Sequence, residues 1–282
     1  MRRRLWGAVL VGLTSTGAFV SLVAHGPRAS AGNTNGPELL PDLVVESPAD
    51  IVLESARDSK RVYLRFSHST ANTGAGPLEI YPDLSTNRCG PKGKRGRVAH
   101  QAIYHDANAD GEFGRAIDSG TTEAPVGCTI YHEVHDHYHF EDFARYELYR
   151  IDTSRLAEVS KKVSFCVVDS HKYLPQLPGS PGNPFYRFED CEDSSGTHGI
   201  SVGWADKYGA GTPGQEFDVT GLRKGRYCLV TRADPKNRLA EIATGGEDNN
   251  IQTAAIRFSP RQASRRGHEV AVLDEPCAPP KP

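Results

Sequence analysis

The chain has no surplus of positive charge: 33 Lys+Arg stand against 35 Asp+Glu, a formal charge of −2. That argues against a nucleic-acid partner, whose phosphates are neutralised by clustered Lys and Arg. Beyond Ala24 no apolar run approaches the length that spans a bilayer. Helical periodicity is weak, no internal repeat recurs, and no sharp change of composition marks a domain boundary. Helix bundles, solenoids and multi-span membrane proteins are therefore poor descriptions, and one main domain is expected.

What is present begins with an export signature. Arg2, Arg3 and Arg4 precede an apolar stretch from Leu5 to Ala24, and Ala29-Ser30-Ala31 supplies small residues before Gly32. This predicts a cleaved signal peptide over 1–31 and a secreted or extracellular mature protein, free of the membrane. The paired arginines also suit a twin-arginine address. An uncleaved anchor is the alternative, weakened by Thr14, Ser15, Thr16 and Ser21 within the run. Cleavage removes four arginines and no acids, so 33 Lys+Arg fall to 29 against 35 Asp+Glu, a formal charge of −6. That leaves room for a cationic substrate. All six cysteines (Cys89, Cys128, Cys166, Cys191, Cys228 and Cys277) lie in the exported part, where three disulfides can form in fifteen pairings.

After a polar lead-in over 32–40, short β-prone runs recur: DLVV, DIVLES, RVYLRF, PLEIY, RGRVAHQAIY, FARYELYRI, VSFCVV, EFDV, GRYCLV and IQTAAIRF. Several alternate apolar and polar residues, and Gly, Pro, Asn and Asp punctuate them. The pattern predicts an all-β protein, an immunoglobulin-like antiparallel β-sandwich elaborated with long loops. The main domain is expected over 41–260, with a C-terminal extension over 261–282 that Cys277 can pin. Residues 174–199 form a Pro/Gly/Ser-rich span too long for an ordinary connection.

Chemistry concentrates in IYHEVHDHYHFEDF. His135, His137 and His139 are spaced by two, and His132 lies just upstream. Alternate residues of a strand share a face, so this spacing predicts three aligned imidazoles, much of a transition-metal coordination shell. One such histidine is ordinarily a packed or surface side chain; three in register point to a metal. Copper is favoured by a nitrogen-rich tetragonal set, while zinc with an open position would suit a hydrolase. A second metal is suggested by Asp106, Asn108 and Asp110 ahead of Gly111, the start of a calcium loop. Position 12 of that loop is Ile117, with Asp118 one residue later, so a solvated Asx-rich turn is the competing reading. The aromatics Tyr138, Phe140, Phe143, Tyr146 and Tyr149 read as core packing rather than an amine cage.

From about Pro41 to Pro260 the sequence resembles the lysyl oxidase catalytic domain. The resemblance is carried by His132 followed by HDHYHFEDFARYELY, by PDLVV, LRFSHSTANTG and KKVSFC, by the DxYG of Asp206 to Gly209, and by Asn249-Asn250. It implies a copper amine oxidase whose cofactor, lysine tyrosylquinone, is built from two of its own side chains. His135, His137 and His139 match the copper ligands, Lys162 the cofactor lysine and Tyr208 its tyrosine. Lys162 rather than Lys161 keeps the family's distance to Phe165 and Cys166. The implied reaction converts a primary amine, or the lysine of a protein substrate, to an aldehyde with molecular oxygen, releasing ammonia and hydrogen peroxide. His132, Asp136 and Asp169 are candidates for its base, with His132 preferred because Asp136 would point away from the metal face.

The resemblance also implies a structural calcium site at Asp42, Glu241, Asn249 and Asn250, with Glu247 or Asp248 as a further ligand. Departures are visible as well. Tyr131 and Val134 stand where vertebrate members carry Trp and Cys, and Ser170-His171 replaces another cysteine position, so the disulfide framework differs. The arginine-led signal and the lack of a propeptide counterpart suit a bacterial-type secreted member. The rival description is a non-catalytic copper- and calcium-binding extracellular β-sandwich module with a structural or envelope role.

Overall fold

A computed structural model describes residues 34–57, 59–90, 96–242 and 249–279; the predicted signal peptide lies outside them. The described residues are nearly all β, arranged as three antiparallel sheets. The organising strand is Val62–Asn72, which pairs with Ala49–Ser55, Leu43–Val45, Trp204–Tyr208 and Glu216–Asp218. A second sheet runs Arg155–Val159, Ala144–Arg150, Gly225–Ala233, Ile251–Phe258 and Ala271–Val272. The third carries His198–Ile200, Leu78–Pro82, Gly96–His105, Thr121–His132 and His137–Phe140, with Glu38–Leu39 added beside Gly96–His105. Among the described residues no helix is long and apolar enough to cross a membrane.

Alternation explains where the core sits. Leu64 and Phe66 point inward from Val62–Asn72, and Ala144, Tyr146 and Leu148 from Ala144–Arg150; all five are fully buried. Phe66 meets Tyr146 edge-on at 5.0 Å and stacks on Phe217 at 5.3 Å. Each fully buried Leu or Phe contributes roughly 1.5–3 kcal/mol relative to exposure. Further along the same strand face the inward row turns polar, with His68, Thr70 and Asn72 all buried. The core therefore gives way to a polar interior at one end, and that interior holds the residues of interest.

Two sequence expectations change here. VSFCVV is no strand: only Phe165 bridges, exchanging both backbone hydrogen bonds with Phe140 at 2.8 and 3.1 Å. Its neighbours bond elsewhere, Val167 O accepting from Gly199 N and Cys166 O from the Tyr208 hydroxyl. A buried segment can thus satisfy its backbone by several cross-connections instead of one ladder. Conversely, Thr121–His132 is a long strand that the pattern hid. Pro125 and Gly127 interrupt its alternation, and the pairing shifts by a bulge opposite Ala99 and His100.

The disulfides join Cys89 to Cys128, Cys166 to Cys191 and Cys228 to Cys277. The segment after residue 260 pairs His268–Glu269 with Ala49–Ser55 and Ala271–Val272 with Ile251–Phe258, so it ties two sheets together. Within 174–199 lies the short helix Phe188–Glu192, whose Cys191 is bonded to Cys166.

Candidate active site

The histidine motif is a hairpin rather than one strand. Thr121–His132 and His137–Phe140 are antiparallel, with His132 opposite His137 and Ile130 opposite His139. Residues 133–136 form the turn; His135 N and Asp136 N both donate to His132 O at 2.9 Å. Asp136 takes φ 59°, a left-handed conformation that Asp tolerates better than most residues. The strand pair presents His132, His137 and His139, and the turn folds His135 back onto them. Alternation thus accounts for two of the three predicted ligands, and the turn for the third.

The four rings are tightly grouped. Centroids of His132 and His135 are 4.3 Å apart, and those of His137 and His139 are 4.7 Å apart. His139 Nε2 lies 2.9 Å from His137 Nε2 and 3.4 Å from His135 Nδ1. Metal–nitrogen bonds of about 2 Å put adjacent ligand nitrogens about 3 Å apart, so the spacing fits one transition-metal ion. Ligand atoms of His132, His135 and His139 also lie within 4.8 Å of one another.

The outer ring nitrogens are held as metal ligands require. His137 Nδ1 is hydrogen-bonded to His135 O at 2.8 Å, and His139 Nδ1 to Ser164 Oγ at 3.1 Å. Burial, helped by the nearby Lys162 charge, pushes the His135 imidazole down to about 4, and burial lowers His139 further. Both rings are therefore neutral at neutral pH, with lone pairs to offer.

Ser164 and Phe165 connect this hairpin to a second cluster. Lys162 is buried, while its neighbour Lys161 is exposed. Lys162 Nζ sits 4.7 Å from the Phe165 ring centroid and 5.0 Å from that of Tyr208. Among the described residues no carboxylate lies within ion-pair distance of it. Burial brings its pKa down to about 8, against the upward pull of Asp206 and Glu216. Tyr208 stands opposite His68 in the strand pair and meets Phe165 edge-on at 4.9 Å. Its hydroxyl donates to Cys166 O at 2.6 Å, and burial holds the phenol well above its usual range.

The candidate bases separate. Asp169 is bound by Phe185 N, Tyr186 N, Ser201 N and Ser201 Oγ, and so braces three segments. Asp136 is exposed at the hairpin turn and accepts from the Tyr131 hydroxyl. His132 belongs to the imidazole cluster. Sequence reasoning passed over Asp206, although its place two residues before Tyr208 was the available signal.

Two further predicted loci fold differently from each other. At the first, Asp106 Oδ2 accepts from Gly111 N at 2.8 Å, and Asn108 Nδ2 donates to Asp110 Oδ2 at 2.7 Å. Asp118, just past the missing glutamate position, accepts from Ala107 N and Gly114 N. The loop's carboxylates are bonded to its own backbone N–H groups, an arrangement shared by an Asx-rich turn and a calcium loop.

At the second, residues distant in sequence converge. Asn249 Nδ2 donates to Asp42 Oδ1 and Asn250 Nδ2 to Glu241 Oε1, each at 2.7 Å, and Leu43 N donates to Glu241 Oε2. Burial raises Glu241 to about 7, and Asn250 Oδ1 is buried without a partner. Glu247 and Asp248 lie outside the described residues.

The family model described as lysyl oxidase matches residues 121–266. Human protein-lysine 6-oxidase is 29% identical over 138 residues, covering 49% of this chain and 30% of its own. Human lysyl oxidase homolog 1 is 28% identical over 135 residues, 48% of this chain and 21% of its own. The bovine homolog 1 gives 28% over 135 residues. The matched region thus spans less than a third of each of these relatives.

Proposed function

Because the chain belongs to the lysyl oxidase family, we propose that it is a secreted copper-dependent amine oxidase. It converts primary amines, or the lysine of a protein substrate, to aldehydes with molecular oxygen, releasing ammonia and hydrogen peroxide. The observation that carries this reading is Lys162 Nζ lying 5.0 Å from the Tyr208 ring, on the segment whose Ser164 also engages His139. At that distance the amine already lies over the ring it would join. Its approach over the ring is the direction a nucleophile takes to a π-electrophile.

His135, His137 and His139 would hold copper, and the nitrogen spacing near 3 Å supports that fit. His132 is near enough to complete the nitrogen set. Bound copper and the lysine tyrosylquinone formed from Lys162 and Tyr208 would supply the redox chemistry, passing electrons from the amine to oxygen. The chain's own residues do the rest. The neutral imidazoles give up no proton to bind the metal. Phe165 packs beside Tyr208 and under Lys162, holding both.

A structural calcium ion at Asp42, Glu241, Asn249 and Asn250 belongs to the same reading. The unpartnered Asn250 Oδ1 and the desolvated Glu241 carboxyl are the oxygens that would take the cation. Asp106, Asn108 and Asp110 would form a second calcium locus, in a loop with no orphaned buried oxygen of the kind Asn250 presents.

The test is to purify the protein after copper loading in air, record its visible spectrum and map crosslinked peptides by mass spectrometry. The expected result is quinone absorbance, a Lys162–Tyr208 crosslink and peroxide release with a primary amine. Full copper occupancy with no crosslink would overturn the enzyme and favour a metal-binding module.

A further inference from the structure

The amine-oxidase reading needs a base, and one carboxylate in the polar interior accepts a backbone hydrogen bond from Val168 yet keeps an oxygen with no donor. Asp206 lies two residues before Tyr208 on Trp204–Tyr208, so both side chains project to the same face. Their strand partners are Thr70 and His68, from the polar end of Val62–Asn72. Asp206 is 2% exposed and its Oδ2 accepts no hydrogen bond. Leaving a buried carboxylate oxygen without a donor is costly, and such an exception calls for an explanation.

Every element around Asp206 contributes a polar group. Lys162 faces it from the preceding loop, Asp169 from the segment behind, and Tyr146 from Ala144–Arg150. Tyr208 shares its strand, and its ring is half-buried, which leaves an approach for an amine. Gln215, behind the turn that packs Gly214 on Lys162, has neither amide atom bonded. Burial, reinforced by Asp169 and opposed by Lys162, holds the Asp206 carboxyl well above the ordinary range, the direction that suits proton uptake near neutral pH.

We propose that Asp206 is the general base that removes the proton from the amine-bearing carbon of the substrate. The C–H bond would break with its proton going to Asp206 Oδ2. Its electron pair would be taken up by the quinone that Tyr208 and Lys162 supply, with dioxygen as the terminal acceptor. Alternate Cα atoms on a strand are about 7 Å apart. As a same-face neighbour of Tyr208 on one strand, Asp206 is placed to meet a carbon that would be attached to that ring through nitrogen.

Asp206→Asn, matured with copper in air, is the test. Expected are wild-type copper occupancy, a wild-type Lys162–Tyr208 crosslink by mass spectrometry, and full labelling by phenylhydrazine, which needs no C–H abstraction. Amine turnover should fall about 10²-fold or more, and the acid limb of its pH profile should vanish. Asp206→Glu should restore part of the rate and that limb, which a purely structural carboxylate would not do. Unchanged turnover in Asp206→Asn overturns the assignment, as does failure of Asp206→Asn and Asp206→Glu, both folded, to form the crosslink. Loss of turnover confined to His132→Gln, with copper and crosslink intact, would give the role to His132. A wild-type protein without crosslink sinks the amine-oxidase reading itself, an outcome distinct from all of these.

Discussion

The imidazole hairpin and the Lys162–Tyr208 interior are neighbours built by opposite means. The hairpin takes all its rings from residues 132–139, and His135 and His137 are only partly buried. The interior draws on five separated stretches, at His68, Tyr146, Lys162–Asp169, Asp206–Tyr208 and Gln215, and His68, Tyr146, Lys162, Asp206 and Gln215 are all buried. A local turn can present a metal-binding face, whereas placing a lysine over a tyrosine requires three sheets to pack first. Metal binding should therefore tolerate damage that cofactor formation does not.

The sharpest test of that contrast is Tyr208→Phe. It should abolish the crosslink and quinone absorbance completely while copper occupancy stays at the wild-type level by metal analysis. Loss of copper as well would erase the distinction between the two regions. His139→Ala should act on both, because His139 lies nearest the common point of the nitrogens and bonds Ser164 on the lysine segment. Copper affinity and crosslink should fall together in titration and mass spectrometry.

Smaller in effect is Ser164→Ala, which leaves every ligand but frees His139 Nδ1. Such outer-shell losses typically cost 10–100-fold in metal affinity, and the expected copper titration shifts by that order. Calcium removal by a chelator should lower the melting temperature without touching the hairpin. At a hundredfold excess over its Kd a bound ion adds about 2.7 kcal/mol, and Glu241→Gln should remove the chelator's effect.

The gentlest probe is acid. Buried His68 and His198 are pushed down to about 3 and about 4 by burial. The unfolded chain thus binds more protons between about pH 6.5 and those values. Stability is full above that window and declines as pH falls through it, which denaturant melts across pH 7 to 4 would register. A flat profile would mean that the interior is wetter than its burial indicates.

Legibility followed the same division. The all-β class was readable because alternation in Val62–Phe66 or Ala144–Leu148 is a property of consecutive residues. The metal motif was readable because its rings are close in the chain, although its hairpin geometry was not: nothing in HDHYHFEDF announces that residues 133–136 turn. The segment at VSFCVV misled, since its apolar composition reports burial and says nothing about which partners take its hydrogen bonds. Asp206 was quoted within DxYG yet passed over, because only packing reveals that its Oδ2 lacks a donor.

The sequence by itself determined the secondary-structure class, the imidazole supply and the chemical precursors, all matters of residue type and short spacing. Tertiary structure alone decided that the histidine motif folds as a hairpin, that Asp169 braces three segments, and that Asp206 keeps one buried oxygen without a donor. These are outcomes of burial and of partners far apart in the chain, and desolvation acts on a side chain only once the sheets around it have closed.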